Sequence, residues 1–100
     1  MKTLIVGKTI KEAKEFLNIL SKSFANNTIE NYTENKITMK NVDIYYAISH
    51  LNNSEMRSCR CDRLYISKLI EDEISQKIIY HPMLLYSNLP FDERIIKFEL

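Results

Sequence analysis

TLIVGKTIKEAKEFLNILSKSF, residues 3–24, is the stretch on which the fold turns. Residues 3–6 form a short apolar run of the kind shown by a buried strand, and Gly7-Lys8 supplies a turn. Thr9 and Glu12 then have the spacing of a capping box, in which two side chains satisfy free N–H groups of a first helical turn. Ile10, Ala13, Phe16, Leu17, Leu20 and Phe24 follow at intervals of three and four, which places them on one helical face. Lys11, Lys14, Glu15 and Lys22 fall on the other, and Asn26-Asn27 closes the helix. A strand running through a tight turn into an amphipathic helix is the opening of an α/β domain.

Working outward, residues 28–35 are polar and read as a connection, with room for a short strand around Ile29. Ile37 and Met39 alternate with polar neighbours, as do Ile44, Tyr46 and Ile48, and Lys40-Asn41 between them suits a turn. A β-hairpin over residues 36–49 is the expectation. Residues 50–62 are polar and lack a period, residues 63–69 read as a strand, and a helical pattern starts at Ser75. Pro82 kinks or restarts that helix, because it has no N–H to donate. Asn88-Leu89-Pro90 is a turn and residues 94–98 a closing strand. The order β-α-β-β-β-α-β predicts a single domain over residues 1–100, a small mixed sheet of about four to five strands with two main helices packed on it.

Bulk properties narrow the function. One hundred residues, 45% hydrophobic and 27% charged, make one globular core. The net charge of +1 gives no overall pull toward nucleic acid or membrane, although a local patch depends on distribution rather than on the total. Residues 1–40 hold seven lysines and four acids, and residues 41–100 seven basic and nine acidic residues, a mild asymmetry. No apolar run approaches the length of a membrane span, and the amino-terminal segment turns charged too soon for a secretory signal. Two cysteines one residue apart make no disulfide framework, so a cytoplasmic chain is expected.

Two resemblances bear on chemistry. Val6-Gly7-Lys8-Thr9 resembles the end of a phosphate-binding P-loop, but that motif needs an earlier glycine where Lys2 stands. The residues between are the strand itself. More broadly, TLIVGKTIKEAKEF, KITMKNVDIYYAIS and MRSCRCDRLYIS resemble the strand-turn-helix, hairpin and acid-bearing strand of RecA-like ATPase cores of the phage-packaging and helicase type, over roughly residues 3–86. The likeness implies an ATPase-like scaffold and a phage or mobile-element source. The departures are chemical: after Ile66, where that family carries a metal-organising Asp and a catalytic Glu, stand Ser67 and Lys68. A hydroxyl and an ammonium cannot hold Mg²⁺ or orient an attacking water.

RSCRCDR, residues 57–63, gathers three of the four arginines. In helical form Arg57, Arg60 and Arg63 share one side, where guanidinium forks grip phosphates or carboxylates; alternatively they pair internally with Glu55, Asp62 or the acids at 71–73. Cys59 and Cys61 fall short of the four ligands of a structural zinc, and His50 and His81 stand far apart, so neither a metal nor a cofactor is expected. Glu71-Asp72-Glu73 reads as a solvated helix start. Tyr45 and Tyr65 alternate against the apolar positions of their strands, which would turn them outward as interface residues.

No catalytic residue is assigned. The resulting expectation is a non-catalytic binding module that uses Arg57, Arg60, Arg63, Tyr45 and Tyr65. Its partner would be a host protein or nucleoprotein complex, as for a phage inhibitor of a defence system such as an anti-CRISPR. The alternatives are a nucleic-acid-binding protein with an Arg-rich loop, a subunit of a nucleotide-dependent enzyme completed by a partner chain, and a homo-oligomer.

Overall fold

A computed structural model describes residues 1–49, 61–79 and 94–100, with backbone only for 76–79. Within these residues the chain forms six strands and two helices: β1 Lys2–Gly7, α1 Ile10–Ser23, a 3₁₀ turn Asn26–Thr28, β2 Ile29–Thr33, β3 Lys36–Met39, β4 Ile44–Ser49, β5 Arg63–Ser67, α2 Asp72–Ile79 and β6 Ile95–Phe98. The expected α/β class and mixed sheet are present, with six strands where four to five were anticipated. The additional strand is β2, Ile29–Thr33, which fills the place around Ile29 where the polar connection leaves room for a short strand. The second helix begins at Asp72, within the acidic run that reads as a helix start and three residues ahead of the apolar period at Ser75. Asp72 and Glu73 therefore occupy its first turn, where carboxylates meet the positive end of the helix dipole.

The sheet order is β2-β3-β4-β1-β5-β6. β1 lies at the centre, parallel to β4 on one side and β5 on the other, and β6 continues parallel beyond β5. β3 joins β4 antiparallel, completing the predicted hairpin, and β2 pairs antiparallel with β3 at the edge.

Register sorts the side chains. On one face Ile5, Ile37, Ala47 and Phe98 pack with Ala13 and Leu17 of α1. On the other, Leu4, Val6, Ile48, Leu64 and Ile66 form a second cluster with Cys61 and Ile70. Leu4, Ile5 and Val6 are each fully buried, because a parallel central strand is covered on both faces.

The junction of β1 and α1 is tight. Gly7 is buried, and a Cβ built there would lie 2.6 Å from the Thr9 carbonyl oxygen and 2.7 Å from the Ala13 nitrogen. The predicted cap is present in altered form. Thr9 Oγ1 accepts the Glu12 N–H at 3.2 Å, while the Glu12 carboxylate takes the Lys8 N–H at 2.8 Å, one residue before the cap itself. Ile10, assigned by spacing to the buried face, is 41% exposed because it precedes the first turn that touches the sheet. Phe16 lies between Tyr65, at 5.2 Å, and Phe98, stacked at 4.1 Å, and so ties α1, which lies over β1 and β4, to β5 and β6 as well.

In the β3–β4 turn the left-handed residue is Val42 (φ 70°), not Asn41. Val42 donates to the Met39 carbonyl and Met39 to that of Asp43, so a turn through Lys40-Asn41 is followed by one left-handed position.

Candidate functional site

In open α/β sheets a ligand crevice forms outside the carboxyl ends of the strands, where consecutive connections leave in opposite directions. Here β1 leads through α1 toward β4, and the chain then crosses to β5 on the other side of β1. Gly7-Lys8-Thr9 and Ser67-Lys68-Leu69 therefore stand side by side, continuing from the paired Val6 and Ile66. A groove of about 380 Å³ opens there, lined chiefly by Lys8, Lys11, Glu12, Glu15, Leu69 and Glu99.

Its charges are of both signs and partly committed. The Glu12 carboxylate, on a 7% exposed residue, is held by the Lys8 N–H. Lys68 Nζ is 3.9 Å from Glu99. The buried Ser67 hydroxyl accepts the Leu69 N–H at 3.0 Å. The two positions at which the ATPase likeness would call for carboxylates thus carry a hydroxyl turned into its own backbone and an ammonium beside an acid. Nothing in this charge pattern selects an anion over a cation.

Of the residues expected to bind, Arg57 and Arg60 lie outside the described residues, as do Cys59, His50 and His81. Arg63, Tyr45 and Tyr65 come together on the α1 side of the sheet. Thr3 of β1 is the partner of both Tyr45 and Arg63, and Ile5 is the partner of Tyr65. The two rings are half-buried rather than turned out to solvent. Tyr65 meets Phe16, and Tyr45 meets Phe24 at 5.1 Å. Alternation misjudged them because a helix covers the face opposite the aliphatic one. Burial raises the Tyr45 phenol above its usual pKa, Asp43 and Tyr65 add to the shift, and Arg63 opposes it. Cys61 is a core residue, 5% exposed. Among the described residues no group of His, Cys, Asp and Glu is arranged to hold a metal ion, and no helix is long and apolar enough to cross a membrane.

Two further surfaces went unmarked in the sequence. Strand β2 ends the sheet: Glu30, Asn31, Tyr32 and Thr33 are all exposed, and a register shift between Ile29 and Asn31 leaves Glu30 bulged from the ladder. On the face away from α1, Lys2, Lys36, Ile44 and Tyr46 line a hollow of about 140 Å³. The signal for both was a polar residue inside a strand, which reads as surface only once the strand's neighbours are known.

No protein-family model matches the chain, and no curated protein resembles it in sequence at a significant level.

Proposed function

We propose that this chain is a non-catalytic binding module that engages a protein by adding a strand to the open β2 edge. The supporting observation is the exposure of four of the five β2 residues at the end of a six-stranded sheet. An edge strand offers a row of backbone donors and acceptors, and an extended segment of a partner satisfies them while its alternate side chains supply specificity. Glu30 is exposed on β2 and favours a partner strand that carries a basic residue, while Glu34 beside it is paired with Lys14 at 3.2 Å. The ATPase-like scaffold without its nucleotide cradle belongs to this reading. So does the role of a phage accessory protein in the host cytoplasm, with a host protein or nucleoprotein complex as the target. Arg57, Arg60 and Arg63 are retained as secondary contacts.

The test is capture of the partner from source-cell extract, followed by hydrogen exchange on the purified complex. Slowed exchange at residues 29–33 is the expected result. Protection confined to other elements would overturn strand addition. Protection of residues 29–33 that rises with the concentration of this chain alone would assign the edge to self-pairing and remove the foreign partner.

A further inference from the structure

The hollow on the sheet face opposite α1 has a composition unlike the crevice at the strand ends. Lys36 is the antiparallel partner of Tyr46, and Lys2 is the parallel partner of Ile44, so two ammonium groups flank one aromatic and one aliphatic side chain on three adjacent strands. All four residues are half-buried. The lysine stems therefore lie along apolar surface while their charged ends reach water. Neither ammonium forms an ion pair with a described residue.

Among the described residues, the acids at this end of the sheet are already engaged. Asp43 accepts from the amino terminus at 2.8 Å and from the Asn41 side chain at 3.3 Å, while Asp62 Oδ2 accepts the Lys2 backbone N–H at 2.9 Å. By register the strand residues on this face of β1 to β4 are Lys2, Leu4 and Val6, then Asn31 and Thr33, Lys36 and Thr38, and Ile44, Tyr46 and Ile48. No carboxylate stands among them, and both charges are positive.

We infer that this face binds single-stranded nucleic acid, with a phosphate held between Lys2 and Lys36 and a base laid against Tyr46. Paired cations beside an aromatic ring are the elements from which single-strand sites are built, because the cations follow the backbone and the ring accepts any base. Thr38 and Asn31 extend the polar face about 10 Å from β4 to β2 at the ordinary strand spacing, giving a hydroxyl and an amide to the neighbouring sugar and phosphate. A hollow of about 140 Å³ is small beside the roughly 300–1,000 Å³ of sites that enclose a free small molecule, so it fits one unit of a longer strand better than a detached nucleotide. This site is separate from the β2 edge and does not depend on it.

The test uses fluorescein-labelled dT12 in anisotropy titrations at 50 and 200 mM NaCl. Two single-strand phosphate contacts give a log–log salt slope of about −1.4, which is about a sevenfold loss of affinity over that range. The double variant Lys2→Ala/Lys36→Ala is expected to bind at least tenfold more weakly, with a flatter slope and an unchanged far-ultraviolet spectrum. The chain has no tryptophan, so Tyr46→Trp places a single indole at the site, and stacking of a base on it quenches its emission. Affinity for dT12 that is unmoved by the double variant overturns the proposal, as does an indole left unquenched at saturation. Binding of the matching 12-base-pair duplex or of free AMP as tightly as dT12 also overturns it. None of these measurements involves a protein partner, so the strand-addition reading stands or falls on its own experiment.

Discussion

Replacing Gly7 by alanine tests the link between the central strand and its helix. Gly7 does not have a positive φ, so alanine can adopt its backbone angles and would gain some stability by restricting the unfolded chain, about 0.4–1 kcal/mol. Space decides against it. The new Cβ would sit 2.6 Å from the Thr9 oxygen and 2.7 Å from the Ala13 nitrogen, where ordinary contact begins near 3.4 Å. Those two atoms are the acceptor and donor of the first hydrogen bond of α1, 3.3 Å long, so the methyl group wedges against the bond that starts the helix. Backbone atoms cannot rotate away, and α1 is held down by Ala13, Leu17 and the stacked Phe16.

Overpacking of this kind costs roughly 1–3 kcal/mol, and a backbone obstacle puts Gly7→Ala near the upper end. Less the unfolded-state gain, about 2 kcal/mol of stability should be lost. For a domain of this size that corresponds to a fall in Tm of about 8–16 °C. Urea unfolding followed by circular dichroism, with the midpoint compared at equal slope, measures it. Adding Ala13→Gly removes the weaker side-chain contact at 3.1 Å but leaves both backbone contacts, so it should not rescue the variant. A loss below about 0.5 kcal/mol for Gly7→Ala, or full rescue by Ala13→Gly, would refute the reasoning.

Val42 has φ of 70° and is 76% exposed, a left-handed position occupied by a β-branched residue that gains little from burial. Val42→Gly should raise stability by about 1 kcal/mol, read as an upward shift in the urea midpoint with unchanged slope. The raised pKa of Tyr45 sets a pH dependence whose sign follows from linkage. The folded state prefers the neutral phenol, so this contribution is intact below the ordinary value of 10.0 and is lost as pH climbs from there through the folded value. Tyr45→Phe should therefore lose less of its Tm than the parent between pH 9 and 11, while the two proteins follow parallel trends between pH 6 and 8.

Much of the architecture was legible because it rests on local signals. The apolar run at residues 3–6, the Thr9–Glu12 spacing and the three-four period through Phe24 specify β1, the turn and α1 without help from the rest of the chain. The hairpin is legible from alternation, and the strand read at residues 63–69 forms over Arg63–Ser67. What alternation could not give was exposure. It distinguishes one face of a strand from the other, yet both faces of a central parallel strand are covered, so Tyr45 and Tyr65 alternate correctly and are still tucked beside α1. The lysine-flanked hollow was beyond reach for another reason. Lys2 and Lys36 become neighbours only when β4 enters between β1 and β3, a long-range pairing that no local window contains.

That central position of β1 also shapes how the protein is made. Both backbone polar groups of Lys2 find partners on Asp62, sixty residues later in the chain. At ribosomal rates of about 5–20 residues per second, some 3–12 seconds separate the emergence of Gly7 from that of Ser67. Throughout that interval the aliphatic triplet Leu4-Ile5-Val6 lacks the second of its two flanking strands, β5. Closure of the sheet around β1 is thus a late, long-range event, and it should govern the folding rate.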